Sequence, residues 1–228
     1  MKVTAVIPAA GSGKRMHTKK QFLEISGTPV LAITVSVFEE CQSIDEIIVA
    51  ATREDLERTR EILKDFKKVK SVVEGGDERQ DSVYNCISTI SKESDDDLVV
   101  IHDAARPLVT KEMITSAVIE AKVSKAVVVG VPSKDTVKTV SEDNKIMETL
   151  DRKSIWLVQT PQVFSMQLIK QAYERAQKLN YRATDDSKLV ERLGNAVKII
   201  MGSYENIKIT TIEDVTMAEA ILKGRGKK

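Results

Sequence analysis

The first residues in the chain that could bind a ligand or take part in a reaction form a glycine-containing loop near the amino terminus. A short apolar run ends in Pro8-Ala9-Ala10-Gly11-Ser12-Gly13-Lys14-Arg15, and Lys20 follows a few residues later. Glycines let the backbone approach a ligand and expose its N–H groups, and the cations add positive charge at the same place. Amides and cations that converge in this way suit a polyphosphate. The loop is therefore a candidate phosphate-binding site, with a merely structural turn as the alternative.

Two well-known phosphate-binding loops do not match this segment. A P-loop needs a serine or threonine after its Gly-Lys pair to bind magnesium, and Arg15 stands there instead. The dinucleotide-binding fingerprint needs a third glycine, and Met16 occupies that position. A nucleotide bound here is thus expected to be held by a different arrangement.

Two further motifs follow apolar stretches later in the chain. One is Glu74-Gly75-Gly76-Asp77-Glu78-Arg79, with Ser82 shortly after it, and the other is His102-Asp103-Ala104-Ala105-Arg106-Pro107. Taken alone, the glycine pair predicts only a strand-to-helix turn. Because an Asp and an Arg are costly to bury unpaired, the second motif allows two interpretations. Either Asp103 and Arg106 satisfy each other, or Asp103 is a magnesium or hydroxyl partner and Arg106 binds phosphate.

The elements that position these motifs are predicted by alternating apolar and amphipathic stretches. Several apolar runs are continuous, which is typical of strands covered on both faces of a parallel sheet. Regular alternation of strands and helices predicts an α/β three-layer sandwich with a Rossmann-like, mostly parallel sheet, in a single domain over residues 1–228. The predicted strands are residues 3–7, 46–51, 69–73, 98–102, 126–131 and 197–201, and the predicted helices are residues 29–40, 54–66, 79–90, 111–122, 166–179 and 213–222.

This topology brings the three motifs to one rim of the sheet. Ligands of open parallel sheets bind at the carboxyl ends of the strands, and each motif follows a predicted strand. The cations gathered there are Lys14, Arg15, Lys20, Arg79 and Arg106. A nucleoside triphosphate carries about four negative charges, so it and its Mg²⁺ suit such a rim. Jointly the motifs predict a nucleotide site more strongly than any one of them.

Residues 134–156 interrupt the alternation of strands and helices. Two polar, β-branched stretches flank a turn at residues 141–144, and this pattern predicts an inserted β-hairpin. An isolated two-stranded ribbon is marginally stable in water. We therefore expect the hairpin to be an arm that packs on another surface, most simply on a second copy of the chain.

Composition excludes several other classes of protein. Lys and Arg total 35 against 34 Asp and Glu, and a net charge of +1 argues against nucleic acid or a membrane surface as the main partner. Cys41 and Cys86 are predicted to be buried thiols, and with only His17 and His102 available no usual Cys/His zinc site can form. The chain has no apolar run long enough for a membrane helix and no signal-peptide pattern. A cytoplasmic protein is expected.

Six ordered motifs resemble those of the 2-C-methyl-D-erythritol 4-phosphate cytidylyltransferase family, from Val3 to about Leu222. One departure is that Lys19 stands where the family usually has a proline, in a loop about two residues shorter. The motifs are Ala9-Ala10-Gly11-Ser12-Gly13-Lys14-Arg15-Met16 with Lys20-Gln21-Phe22-Leu23, Gly75-Gly76-Asp77-Glu78-Arg79 with Ser82-Val83, His102-Asp103-Ala104-Ala105-Arg106-Pro107, Asp135-Thr136-Val137-Lys138, Thr160-Pro161-Gln162 and Asn206-Ile207-Lys208-Ile209-Thr210.

The resemblance implies an activity and a role for each matching residue. The family transfers CMP from CTP to 2-C-methyl-D-erythritol 4-phosphate and releases pyrophosphate, an early step of non-mevalonate isoprenoid synthesis. Mg²⁺ or another divalent cation is implied as cofactor, held by Asp103 directly or through water. The implied catalytic residues are Arg15, Lys20, Arg152 and Lys208. The implied CTP-binding residues are Pro8, Ala9, Ala10, Gly11, Ser12, Gly13, Lys14, Gly76, Asp77, Arg79 and Ser82, and the implied acceptor-binding residues are Asp103, Arg106, Thr136, Arg152, Thr184 and Lys208.

The resemblance also implies a homodimer with arm exchange, in which Thr136 and Arg152 complete the partner's site. Without it, a surface ion pair of Arg152 with Asp151 or Glu148 is the simpler interpretation. The nearest alternative function is that of a ribitol 5-phosphate cytidylyltransferase or another sugar- or polyol-phosphate nucleotidyltransferase. A non-catalytic nucleotide-binding protein is the alternative of a different class.

Overall fold

The central sheet of the protein is seen in a computed structural model that describes residues 1–11, 19–91, 94 and 96–226. Seven strands from these ranges form it, in the order β11-β7-β10-β6-β1-β4-β5. Most of them are buried apolar runs, as the sequence pattern predicts. The strands are β1 (Val3–Pro8), β4 (Glu46–Ala51), β5 (Val69–Glu74), β6 (Leu98–Ile101), β7 (Ala126–Pro132), β10 (Trp156–Ser165) and β11 (Lys198–Met201).

One strand of the sheet was not predicted. β10 lies between β6 and β7 and runs antiparallel to both, whereas every other neighbouring pair in this sheet is parallel. The sequence pattern did not predict β10 because three polar residues interrupt its apolar run, although they are buried: Gln159, Thr160 and Gln162. The register also shifts between Val158 and Gln162. The mostly parallel sheet is confirmed, with this one strand added.

Helices cover both faces of the sheet, so the three-layer sandwich is confirmed. One apolar core joins the sheet to α1, α2 and α4, and a second core on the opposite face joins it to α3, α5 and α6. Helix α7 packs on a third, smaller cluster. The helices are α1 (Val30–Glu40), α2 (Leu56–Leu63), α3 (Arg79–Thr89), α4 (Lys111–Ser124), α5 (Met166–Lys178), α6 (Asp186–Glu191) and α7 (Ile212–Arg225).

Local sequence signals explain several helix starts. Thr110 accepts a hydrogen bond from the Met113 N–H at the start of α4, as an N-cap threonine should. Glu78 and Asp81 form a capping box at the start of α3. Helix α6 was not predicted because it is only 6 residues long. Within the described ranges, no helix combines the length and apolarity needed to cross a membrane.

The predicted hairpin is present as an exposed ribbon. Strands β8 (Lys138–Val140) and β9 (Ile146–Thr149) pair antiparallel and form a sheet of their own. A second small ribbon, β2 (Glu24–Ile25) and β3 (Thr28–Pro29), precedes α1. All residues of β8 and β9 are exposed, including the apolar side chains of Val140, Ile146 and Met147. The hairpin therefore contributes little to the core of its own chain.

Candidate active site

A cavity of about 310 Å³ opens at the carboxyl ends of β1, β5 and β6. These are the three strand ends that carry the motifs singled out in the sequence. The cavity is lined by Pro8, Ala9, Ala10, Gly11, Lys20, Gln21, Asp77, Glu78, Arg79, Ser82, Asp103, Ala104, Ala105 and Lys208. Most of the predicted nucleotide-binding residues within the described ranges are thus brought together.

The first loop leaves β1 close to its neighbouring strand. The Ala9 N–H donates to the Ala50 carbonyl oxygen at 2.7 Å, which continues the pairing of β1 with β4 past its last residue. Buried Gln21 donates from Nε2 to the Gly11 carbonyl oxygen at 3.4 Å. The loop is therefore held at Ala9 and Gly11. Four of the predicted site residues, Ser12, Gly13, Lys14 and Arg15, lie outside the described residues.

Gly75 explains how the second loop approaches the first. A Cβ atom at Gly75 would lie 2.4 Å from the Ala10 Cβ and 2.8 Å from the Ser82 Oγ. Only a residue without a side chain lets these two loops form adjacent walls of the cavity. The Gly76 N–H donates to the Ser82 Oγ at 3.2 Å, so the turn is tied to the first turn of α3. Because a helix N-terminus carries partial positive charge, this wall favours an anion.

Asp103 is the charged centre of the cavity. Its Oδ1 accepts from Arg79 Nε at 2.7 Å, and its Oδ2 accepts from Lys208 Nζ at 2.6 Å. Burial alone would raise the pKa of this carboxyl, but Arg79 and Lys208 outweigh it and hold the pKa well below its usual range. Arg106 Nε lies 3.9 Å from Oδ2. Asp103 and Arg106 therefore form an ion pair, as the first interpretation expects, but they do not satisfy each other, because Arg79 and Lys208 come closer to Asp103 from distant parts of the chain.

Arg79 is held from behind by two residues that the sequence did not single out. Its Nη1 and Nη2 donate to the two oxygens of Asp186 at 3.1 and 2.8 Å. The Tyr173 hydroxyl also donates to Asp186, and both Tyr173 and Asp186 are fully buried. Burial opposes the charge of Arg79, but Asp186 and Asp103 raise its pKa well above the ordinary value. The only sequence signal for Asp186 is an acidic pair at the start of a short helix.

A second cavity, of about 470 Å³, adjoins the first and shares Arg79, Asp103 and Lys208 with it. It is also lined by Arg106 and Thr184, so four of the predicted acceptor-binding residues meet there. Arg106 donates from Nη1 to the Asn206 carbonyl oxygen at 2.7 Å. Its buried Nε has no hydrogen-bond partner within the described ranges. The two cavities form one site with two compartments.

Thr136 and Arg152 do not line either cavity of the single chain. Both are exposed and belong to the arm or its base. Arg152 donates from Nη1 to the Lys134 carbonyl oxygen at 3.2 Å, so its partner is neither Asp151 nor Glu148 as the simple surface interpretation had it. Their predicted contribution to a partner subunit's site stays a prediction.

Lys19 and Lys20 have different positions despite being neighbours. Lys19 Nζ donates to Asp55 at 2.6 Å and to Glu54 at 2.8 Å, and the hydrogen bond to Asp55 is the main cause of its raised pKa. Lys20 lines the first cavity. Lys20 therefore lies in the site while the Lys19 ammonium group is bound to two carboxylates outside it, and the catalytic role of Lys20 stays a prediction.

Asp103 is the carboxylate that the two compartments share, and it is the candidate ligand of a divalent cation. Among the described residues, no three His, Cys, Asp or Glu side chains converge on one point. Each oxygen of Asp103 accepts one hydrogen bond and keeps a second lone pair. Mg²⁺ in nucleotide sites is commonly held by one or two carboxylates together with substrate phosphates. Asp103 fits that chemistry as the carboxylate that both compartments share.

Together, the parallel sheet, the glycine-rich walls, the helix N-terminus and the paired cations around one carboxylate define an α/β nucleotidyltransferase. The family model for 2-C-methyl-D-erythritol 4-phosphate cytidylyltransferase matches residues 3–224, and the chain belongs to that family.

Individual relatives agree over almost the whole chain. The chain is 49% identical to the 2-C-methyl-D-erythritol 4-phosphate cytidylyltransferase of Caldanaerobacter subterraneus subsp. tengcongensis, over 98% of this chain and 100% of the relative. It is 47% identical to that of Clostridioides difficile, over 96% and 93%. Among solved structures, the 4-diphosphocytidyl-2C-methyl-D-erythritol synthase of Anaerococcus prevotii superposes with a TM-score of 0.88 at 33% identity, covering 97% of this chain and 96% of the other.

Proposed function

We infer that this chain transfers CMP from CTP to 2-C-methyl-D-erythritol 4-phosphate, producing the CDP-alcohol and pyrophosphate for isoprenoid synthesis. The observation that carries this inference is the two-compartment site in a chain that the cytidylyltransferase family model matches over residues 3–224. One compartment has the features expected for a nucleotide and the other has cations suited to a second phosphate. The relatives' names favour methylerythritol phosphate over ribitol phosphate as the acceptor.

The proposed reaction is an in-line displacement at the α-phosphorus of CTP. An oxygen of the acceptor phosphate forms the new bond to the α-phosphorus, and the bond from that phosphorus to the α,β-bridging oxygen breaks. Pyrophosphate leaves with the electron pair of the broken bond. Such a transfer needs little covalent work from the protein, so positioning and charge neutralisation provide most of the rate enhancement.

Each cation of the site has a proposed part in this displacement. Lys20, with Arg15 of the same loop, stabilises the negative charge that grows on the α-phosphate in the transition state. Lys208 and Arg106 bind the acceptor phosphate in the second compartment, with Thr184 at its edge. Two anions repel each other, so Lys208, which lines both compartments, is the group that brings them within reach.

Asp103 is the proposed protein ligand of Mg²⁺. When bound, the cation neutralises triphosphate charge and orients the α-phosphate for attack. Asp103 is ionised throughout the physiological pH range, because Arg79 and Lys208 keep its pKa low. The carboxylate is therefore ready to bind the cation without losing a proton first.

A homodimer with exchanged arms completes the proposed site. Support comes from the apolar side chains of the arm and of adjoining β10, which are exposed by 56% at Val140, 71% at Met147 and 53% at Leu157 in the single chain. Several exposed apolar side chains on neighbouring parts of the chain are typical of an interaction site. In the dimer, Thr136 and Arg152 reach the acceptor compartment of the partner subunit. We also propose a cytoplasmic location, where CTP is made and where the two free thiols of Cys41 and Cys86 stay reduced.

Pyrophosphate release in a coupled assay tests the proposed function. With CTP and Mg²⁺, turnover is expected with 2-C-methyl-D-erythritol 4-phosphate and at least about a hundredfold lower kcat/KM with ribitol 5-phosphate, since a missing contact to a buried polar group costs several kcal/mol. UTP, GTP and ATP serve as controls for the base. A reversed acceptor preference would support the ribitol enzyme, and CTP binding without any turnover would contradict catalysis altogether.

A further inference from the structure

His102 directly precedes Asp103 but belongs to the core and not to the cavity wall. Its imidazole is fully buried beside Phe38, with 5.1 Å between the ring centroids. It lines neither compartment of the site. A buried polar ring of this kind must satisfy both of its nitrogens with hydrogen bonds. The partners of those two nitrogens show what the residue does.

The hydrogen bonds of His102 specify its tautomer. Nε2 lies 3.1 Å from the Arg106 carbonyl oxygen, which can only accept, so Nε2 carries the proton. Nδ1 then accepts from the Thr160 hydroxyl at 3.0 Å. The same hydroxyl oxygen accepts from the Asp103 N–H at 3.1 Å. A ring that donates from Nε2 and accepts at Nδ1 carries a single proton, so these two hydrogen bonds describe a neutral imidazole.

These bonds hold both ends of the short loop from Asp103 to Arg106. The imidazole binds the Arg106 carbonyl directly and the Asp103 N–H through Thr160. The loop is closed further by the Arg106 N–H, which donates to the Asp103 carbonyl at 3.0 Å. The side chains of Asp103 and Arg106 therefore project into the site from a loop whose backbone is fixed at each end.

The same network extends to the segment that carries Lys208. Asn206 donates from Nδ2 to the Thr160 carbonyl at 2.9 Å, and its own carbonyl accepts from Arg106 at 2.7 Å. Asn206 is fully buried and stands two residues before Lys208. The two chain segments that provide Asp103, Arg106 and Lys208 are thus joined through Thr160 and Asn206, and His102 binds the first of these segments to Thr160.

We propose that His102 is a positioning residue for the acceptor compartment: its imidazole bridges the Arg106 carbonyl and the Thr160 hydroxyl, and so sets where Asp103 and Arg106 meet the acceptor phosphate. This inference rests on the proposed function for the identity of the acceptor. The hydrogen-bond clamp itself does not depend on that identity, and it can be measured in the free protein.

Three substitutions separate the two hydrogen bonds. His102→Asn keeps a polar group at the position of Nδ1, His102→Gln keeps one near Nε2, and His102→Phe keeps only the ring. We expect His102→Phe to raise the KM for the acceptor at least about tenfold, because neither hydrogen bond of the imidazole then fixes the loop. The Kd for CTP, measured by calorimetry without acceptor, is expected to stay within about twofold. One of the two polar variants should recover part of the acceptor KM.

Phe38→Leu is the matched control, because it loosens the packing on the same ring and leaves both hydrogen bonds in place. It should lower thermal stability and leave the acceptor KM unchanged. If Phe38→Leu raises the acceptor KM as much as His102→Phe does, the role of His102 is only structural and the proposal is wrong. It is equally wrong if all three His102 variants fold and keep the wild-type acceptor KM.

Nitrogen-15 NMR of the imidazole in the unligated wild-type protein gives a readout that needs no turnover. A neutral ring with the proton on Nε2 is expected from pH 7 to about pH 5. A charged ring or the opposite tautomer in that range would contradict the clamp. Absence of wild-type turnover with 2-C-methyl-D-erythritol 4-phosphate would instead contradict the proposed function, and the NMR result would still decide whether the clamp exists.

Discussion

At the scale of single residues, this site works through pairing of charges more than through isolated groups. Asp103 is buried between Arg79 and Lys208, and Arg79 is in turn held by Asp186. Buried charges persist only when they are paired and hydrogen-bonded. The side chains therefore form a series in which hydrogen-bond donors and acceptors alternate: Tyr173, Asp186, Arg79, Asp103 and Lys208. Lys208, the last residue of this series, lines both compartments together with Arg79 and Asp103, and its exposed side can face a substrate phosphate.

Lys20 and Lys19 offer a matched pair for testing the transition-state role. We expect Lys20→Ala to lower kcat by about 10²–10³, or roughly 3–4 kcal/mol, because a positioned cation stabilises charge that develops on the α-phosphate. Lys19→Ala should change kcat by less than about twofold, since its ammonium group is bound to Glu54 and Asp55. Steady-state pyrophosphate release measures both. Equal losses of kcat in the two variants would contradict a role for Lys20 that Lys19 does not share.

Removing Asp186 tests the buried ion pair behind the cavity. Asp186→Asn leaves Arg79 with a weaker partner, so the free energy of unfolding in urea is expected to fall by about 3–5 kcal/mol. Tyr173→Phe removes one hydrogen bond and should cost about 1–2 kcal/mol.

Glu61→Gln is the control for these two variants. It breaks an exposed pair with Lys64 and should cost less than about 0.5 kcal/mol. A loss for Asp186→Asn as small as that of Glu61→Gln would mean that the buried pair adds little to stability.

His102 makes stability depend on pH in a specific window. The ordinary pKa of 6.5 falls to about 4 in the folded protein through burial, which outweighs the opposing influence of Asp103 and the Arg106 carbonyl. Between pH 6.5 and about pH 4, His102 binds a proton in the unfolded chain but not in the folded protein. The free energy of unfolding therefore decreases as the pH falls through this range. Between pH 7 and pH 4.5 the contribution amounts to about 2–3 kcal/mol.

The comparison of wild type with His102→Asn isolates this effect. The free energy of unfolding in urea is measured at pH 7 and at pH 4.5. Its decrease between these two pH values should be smaller in His102→Asn than in the wild type, by about 2–3 kcal/mol. Arg79 and Arg106 face the same ring and remain charged throughout, so they do not change the slope. Identical pH dependence in the two proteins would show that His102 is not neutral in the native state.

At the scale of elements, two segments depart from the strand–helix alternation: β10, which lines the acceptor compartment, and the hairpin, which we propose reaches that compartment in a partner subunit. Strand β10 inserts antiparallel between β6 and β7 and brings Thr160 beside His102. The hairpin of β8 and β9 precedes β10 in the chain and carries its apolar side chains outside. The nucleotide compartment, by contrast, is built from the regular parallel strands β1, β5 and β6 and from the start of α3.

Mixed subunits test whether the arm acts on a partner subunit. Lys20→Ala and Arg152→Ala are each expected to be nearly inactive, because one removes a cation from the nucleotide compartment and the other removes a proposed acceptor ligand. If the arm reaches across, a mixture of the two after subunit exchange contains hybrid dimers with one intact site, and up to about a quarter of wild-type activity returns. No recovery despite exchange, verified with differently tagged subunits, would place the arm in the site of its own chain.

At the scale of the whole molecule, the single chain has an apolar core on each face of its sheet, but the arm exposes apolar side chains. Both faces of the sheet are covered by helices, so folding of the central layers needs no partner. The arm and the start of β10 leave several apolar side chains exposed to water. The proposed dimer would bury these apolar side chains.

Deleting the arm tests this proposal directly. The Leu150 N–H donates to the Val137 carbonyl at 2.9 Å, so residues 138–149 can be replaced by an Asn-Gly turn without disturbing the base of the hairpin. We expect the shortened chain to sediment as a monomer, to bind CTP as the full chain does and to lose at least about a hundredfold in kcat/KM for the acceptor. A shortened chain that remains a dimer would show that the interface lies elsewhere.

The sequence by itself determined the parallel layers, the hairpin and the nucleotide compartment, because these depend on local patterns. A buried parallel strand shows as an apolar run, and the residues after it must lie at one rim of the sheet. It did not determine β10, the position of Lys19 or the partners of Asp103. Those depend on contacts such as Arg79 with Asp186, 107 residues apart, and Lys208 with Asp103, 105 residues apart. Which cation reaches a carboxylate is decided by distances of a few tenths of a nanometre between side chains on separate elements, and only the packed tertiary structure sets those distances.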